Sequence, residues 1–248
     1  MLTTILSLAT GVSQDMDQSI DQMRRIARWT GFFYLLIILC GMFAEGAVRA
    51  QIIVPENGSE TAANILAKQG LFRSGILADL VMIVCDVIVA LGFFVLLKSV
   101  SSSLSLLATF FRLTQASILG LNLIFLWMAL QTLTGNGLSL RFQVEGFSLA
   151  HLLMNAHATG YKFALVFFAC SLIVQAYLFY RSDLFPSWLA ALPLIAALGY
   201  LIDTFATIAL SSYSANAGIF EIIVVVSALV GEIPLCLWLL IKGVRSPN

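Results

Sequence analysis

The sequence predicts an all-α polytopic membrane bundle of six transmembrane helices, and two observations carry that prediction. The 248-residue chain is 60% hydrophobic and only 10% charged, with a mean hydropathy of +0.98, whereas an ordinary soluble domain carries about 25% charged residues. Six apolar stretches, 28–47, 74–97, 104–131, 160–180, 187–207 and 219–241, each approach or exceed the ~20 residues that a spanning helix requires. Open strands cannot cross lipid, because their backbone groups would lack partners. The formal net charge is zero, and no charge run suggests a nucleic-acid partner. The expected surroundings are the lipid bilayer.

Taken in order, residues 1–22 (MLTTILSLATG, then QDMDQSIDQ) have no basic flank and make a poor signal peptide. They read as a disordered N-terminal tail or a start-site extension, and a single membrane domain over 23–248 opens at MRRIARWTG. The first loop, about 48–72, contains VPENGS as a turn and ETAANILAKQG as a short helix. Asn57-Gly58-Ser59 within it fits a glycosylation triplet. The segment LAHLLMNAHAT (149–159) is too polar and short to span, and reads as an extension of the fourth helix or an interfacial turn. Pro193 and Pro234 fall in spans five and six, where a missing N–H frees a carbonyl. Cys40, Cys85, Cys170 and Cys236 all lie in apolar spans and form no C-x-x-C pair, so they read as packing residues.

Lysine and arginine placement sets orientation. With the N-terminus inside, one side of the membrane holds Arg24, Arg25, Arg28, Lys98, Arg181, Lys242 and Arg245. The other holds Arg49, Lys68, Arg73 and Arg141, diluted by Glu45, Glu56, Glu60 and Glu145. The bias predicts both termini cytoplasmic.

The charges within the spans carry the functional question. A carboxylate at mid-bilayer depth costs about 2.5–3.5 kcal/mol on insertion scales, and Asp79 and Asp86 lie seven residues apart on one helix, on nearly the same face. A rise of about 1.5 Å per residue sets Asp86 ~18 Å from the inner end, Arg112 ~12 Å and Glu232 ~15 Å, forming an inner tier. Asp79, Lys162 and Asp203, with Arg73, His157, Tyr200 and Glu221 as secondary members, form an outer tier ~25–28 Å from the inner end. Pairing is expected between Asp79 and Asp203 and the bases Lys162 and Arg73 outside, and between Asp86 and Glu232 and Arg112 inside. The inner tier has two acids for one base, an imbalance that a bound proton would remove. Arg73 also suits an interfacial anchor, and Lys162 and Glu221 can snorkel. Asn122, Gln115 and Asn155 read as interhelical hydrogen-bonding residues.

No catalytic or metal motif accompanies these charges. His151 and His157 are six apart and miss the i, i+4 spacing of a helical metal pair, and G-x-S-x-G, G-x-x-x-x-G-K-[ST] and H-E-x-x-H are all missing. No cofactor is expected.

Several segments are familiar beyond their composition: ARWTGFFYLLIILCGMFAE (27–45), NILAKQGLFRSGILADLVMIVCD (64–86), LSLLATFFRLTQASILGLN (104–122), YRSDLFPSWLAALPLIAALGYLID (180–203) and GEIPLCLWLLIKGV (231–244). Together they resemble a family of bacterial multi-spanning membrane proteins, domain of unknown function 4386. The resemblance covers about 27–245 and implies that Asn64, Phe72, Arg73, Asp79, Asp86, Arg112, Asp203, Gly231 and Glu232 occupy family positions. It implies a multi-pass fold in a bacterial inner membrane and supplies no chemistry.

Three roles fit this sequence. The favoured one is a non-enzymatic bundle that binds or transports a small molecule or proton in a charged cavity bordered by Asp79, Asp86, Arg112, Lys162, Asp203 and Glu232. The second is a sensory, regulatory or assembly subunit whose buried ion pairs are structural. The third is an intramembrane enzyme acting on lipid, with the acids as acid/base groups.

Overall fold

A computed structural model of the protein describes residues 18–54, 57–134 and 146–245, and of residues 2–17 the helical backbone alone. Helix α1 (Leu2–Met42) continues through a π-helical segment, Phe43–Arg49, and a last turn, Ala50–Ile52. A short α2 (Gly58–Ala67) follows, then α3 (Gln69–Leu97), α4 (Ser102–Leu133) and α5 (Gly146–Arg181). A 3-10 turn, Ser187–Ala190, leads into α6 (Ala191–Ala209), and α7 (Ala217–Ile241) closes the chain. Six of these, all but α2, are long and apolar enough to cross a membrane.

The spans run longer than the apolar stretches alone predict. Helix α1 stays helical to Ile52, so Arg49 lies on the helix itself rather than in the loop that follows it. Residues 149–159 form the first part of α5, so of the two readings the helix extension holds and the turn does not. Residues 2–22 form the first part of α1, while Met1, Glu56, Arg141 and Glu145 lie outside the described residues. Caps start the helices where the sequence supplies them. Ser101 Oγ accepts the Leu104 N–H at the head of α4. Asn57 Oδ1 accepts the Glu60 N–H at 3.0 Å while its Nδ2 donates to Glu60 Oε2, a reciprocal cap that organises α2. Pro193 sits in the first turn of α6, where its missing N–H costs nothing, whereas Pro234 is interior to α7.

The long helices pack as a ring in chain order, α1–α3–α4–α5–α6–α7, and α7 returns to α1. Apolar side chains such as Leu77, Leu121, Ile222 and Ile241 cover the outside, while Asp79, Asp86, Arg112, Asp203 and Glu232 are buried. This is the inside-out arrangement expected of a bundle in hydrocarbon, where polar groups turn inward. Small residues set the closest approaches. A Cβ at Gly92 would stand 2.1 Å from Thr30 Oγ1, and one at Gly231 would stand 2.5 Å from the Leu192 carbonyl oxygen. The second contact draws α7 against α6 beside Glu232.

Candidate functional site

The deepest charge is Arg112, which is 1% exposed. Its Nε donates to Asp86 Oδ1 at 2.6 Å, joining α4 to α3. The guanidinium lies among three rings, 4.9 Å from the centroid of Phe168, 5.4 Å from Tyr34 and 5.9 Å from Phe93. Cation–π attraction in so dry a setting reaches about 2 kcal/mol. Nη1 and Nη2, however, are buried with no hydrogen-bond partner among the described residues.

Glu232 completes this tier without pairing to Arg112. Tyr34 of α1 donates to its Oε2 at 2.9 Å, and Tyr200 of α6 donates to its Oε1. Among the described residues no cation lies within ion-pair distance of Glu232. The carboxyl thus holds α1, α6 and α7 together through two phenols. Tyr34 was not a predicted site residue, and Tyr200 belongs here rather than in the outer tier. Helix tilt moves the true depth of a residue away from a straight count of turns.

The second tier centres on Asp79, whose partner is Arg49 of α1 and not Arg73. Arg49 Nη1 and Nη2 reach Asp79 at 2.7 and 3.1 Å, a bidentate pair of the strong kind, and Nη2 also meets Glu45 at 2.9 Å. Arg73 is exposed and lies 5.3 Å above the Trp127 ring, which suits an interfacial anchor. His157 and Asn122 bridge α5 and α4: Asn122 Nδ2 donates to the His157 carbonyl at 2.8 Å and contacts its Nδ1 at 3.0 Å. Asn155, by contrast, contacts His151 one turn earlier on its own helix and joins no second helix among the described residues. The two histidines do not converge, and among the described residues no group of three His, Cys, Asp or Glu is placed to hold a metal.

The third cluster lies at the α5–α6 end that carries Tyr213. Lys162 Nζ meets Asp203 at 3.2 Å and Thr207 at 2.9 Å, and bonds the Tyr213 hydroxyl as well. Tyr213 also donates to Asp203 at 2.6 Å. Glu221, a secondary member of the predicted outer tier, is exposed on α7 and forms no ion pair among the described residues.

Fold and site together define a polytopic helical protein with charged tiers sealed inside an apolar shell. The chain belongs to the family described as Domain of unknown function (DUF4386), whose profile matches residues 29–243. A relative from Archaeoglobus fulgidus, described as an uncharacterized protein, is 28% identical over 162 residues, covering 65% of this chain and 79% of its own length. No solved structure matches.

Proposed function

We propose that this chain is a non-enzymatic, multi-pass protein of a bacterial cytoplasmic membrane, with both termini inside, that binds and releases a proton at Glu232 in coupling to transport of a small solute. The observation that carries the reading is the environment of that carboxyl. It is buried at 8% exposure and held by two tyrosine hydroxyls. The one guanidinium in its tier is bonded to Asp86 instead. Asp86 and Arg112 neutralise each other, so Glu232 carries the unbalanced charge, and a proton balances it without breaking an ion pair. The pairs Arg49–Asp79, Asp86–Arg112 and Lys162–Asp203 fix helix register around that group.

The test is proton uptake by proteoliposomes containing a pH-sensitive dye. Glu232→Gln protein that purifies as a monodisperse, folded species is expected to lose uptake, while Lys162→Gln retains most of it. Uptake unchanged by Glu232→Gln overturns the proposal.

A sensory or assembly role is the second reading, favoured by one observation. The three ion pairs link α1 to α3, α3 to α4 and α5 to α6, which is a brace as well as a pathway. On that reading, variants at Asp79 and Asp86 lose stability and no activity separates from it.

A further inference from the structure

A narrow crevice runs between α3, α4 and α5, bordered by Phe93, Leu97, Ser105, Thr109, Arg112 and Gln175. Ser105, Thr109 and Arg112 are four and three residues apart, so they form one stripe on α4 that climbs ~10 Å from the Lys98 end into the bundle.

The hydrogens on this stripe are already committed. Ser105 Oγ donates to the Phe94 carbonyl at 3.1 Å, and Thr109 Oγ1 donates to the Ser105 carbonyl at 2.9 Å. Both hydroxyls keep acceptor capacity only. Ser171 donates to the Ala108 carbonyl at 2.8 Å, so it can only accept from Gln175 Nε2, which it does at 3.0 Å. That contact fixes the amide orientation and leaves Gln175 Oε1 buried without a donor. On the same crevice, Nη1 and Nη2 of Arg112 are buried without an acceptor.

Unmet donors and unmet acceptors thus border one space. Leaving such groups unpaired costs roughly 1–3 kcal/mol each, and a molecule that both accepts and donates, as water does, satisfies them together. In the packed conformation the crevice is too narrow to seat a water molecule. At the same Lys98 end of the bundle lies a vestibule of about 680 Å³, bordered by Ser99, Ser101, Leu104, Tyr177 and Arg181, with Ser101 one helical turn before Ser105.

We propose that the α3–α4–α5 crevice is a gated water path, opening from the Lys98-end vestibule to the amino groups of Arg112. Its use as the route by which protons approach Glu232 rests on the functional reading above; the hydration of Arg112 does not.

The test places Ser105→Cys and Thr109→Cys, each a small change of volume, in the full chain, with lipid-facing Phe110→Cys as the control. Vesicles of known sidedness are treated with 2-sulfonatoethyl methanethiosulfonate, a small, anionic, membrane-impermeant thiol reagent, added to one face at a time. Labelling is read by mass spectrometry at each introduced cysteine. Both crevice cysteines are expected to react at least about tenfold faster than Phe110→Cys, from the Lys98 face alone. Reaction at the Phe110→Cys rate, or faster from the opposite face, overturns the path. If one variant fails to fold, the other decides. Labelling without Glu232-dependent uptake keeps the path and removes the proton role; Glu232-dependent uptake with both cysteines inert does the reverse.

Discussion

The Arg112 tier and the Lys162 cluster hold the same kinds of groups and resolve them differently. Lys162 is 25% exposed, and its ammonium finds Asp203, Thr207 and Tyr213, while Asp203 gains the Tyr213 hydroxyl as well. Arg112 is buried, bonds one carboxylate through one nitrogen, and leaves two amino groups unpaired. Near the bundle end, Thr207 and Tyr213 add hydrogen bonds to the ion pair. At depth the protein surrounds its cation with aromatic rings and leaves part of its bonding capacity open. Polar groups left unmatched in a low-dielectric interior are costly, so the contrast marks the Arg112 tier as the place where bonding can change.

Mutations at the two clusters sharpen that contrast. The largest effect is expected for Asp86→Leu, which strands a buried guanidinium and should lower the unfolding free energy in mixed detergent by about 3–5 kcal/mol. Adding Arg112→Met to that variant should recover most of the loss, because two apolar groups replace the pair. A double variant as unstable as the single one would show that the rings, not the ion pair, hold this tier. Next come Tyr34→Phe and Tyr200→Phe, each removing one donor from Glu232, at about 1–3 kcal/mol by the same assay. Combined with Glu232→Gln in a double-mutant cycle, each should reveal coupling. Additive effects would mean that the phenols act through packing alone.

Asp203→Asn should cost less than about 1 kcal/mol, and the loss should shrink further in high salt, since solvent screens a part-exposed pair. A salt-insensitive loss as large as that of Asp86→Leu would erase the distinction between the clusters. Arg73→Gln should do least, forfeiting about 0.5 kcal/mol from its contact with Trp127, read as a small drop in detergent unfolding midpoint.

Much of this architecture is legible in the chain itself. Apolar runs declare the six long helices, and counting turns brings Asp86 to Arg112 and Lys162 to Asp203, because those pairs lie on helices adjacent in sequence and in space. The pairing of Arg49 is not legible from hydropathy, which falls at residue 47, although VRAQII keeps enough apolar character to extend the helix. Its spacing of four from Glu45 was the available signal. Tyr34 is hidden for another reason, while Tyr200 is legible as a site residue and only its tier is not. A tyrosine in a greasy run reads as packing until a neighbouring acid is located, and α7 meets α1 across nearly the whole sequence. Gln175 and its unpaired oxygen depend on the position of the Ser171 hydrogen, which no spacing reveals.

The wide turn at Phe43–Arg49 has a consequence for how this protein can change by descent. A π segment holds surplus residues relative to an α-helix, and one residue corresponds to about 100° of rotation about the axis. Losing one residue there lets the turn tighten to an ordinary α-helix with the register on either side kept, whereas the same loss in the regular part of α1 turns everything beyond it by about 100°. At this one point the first helix can therefore shorten by a residue and still stay clasped to its neighbour through Arg49 and Asp79.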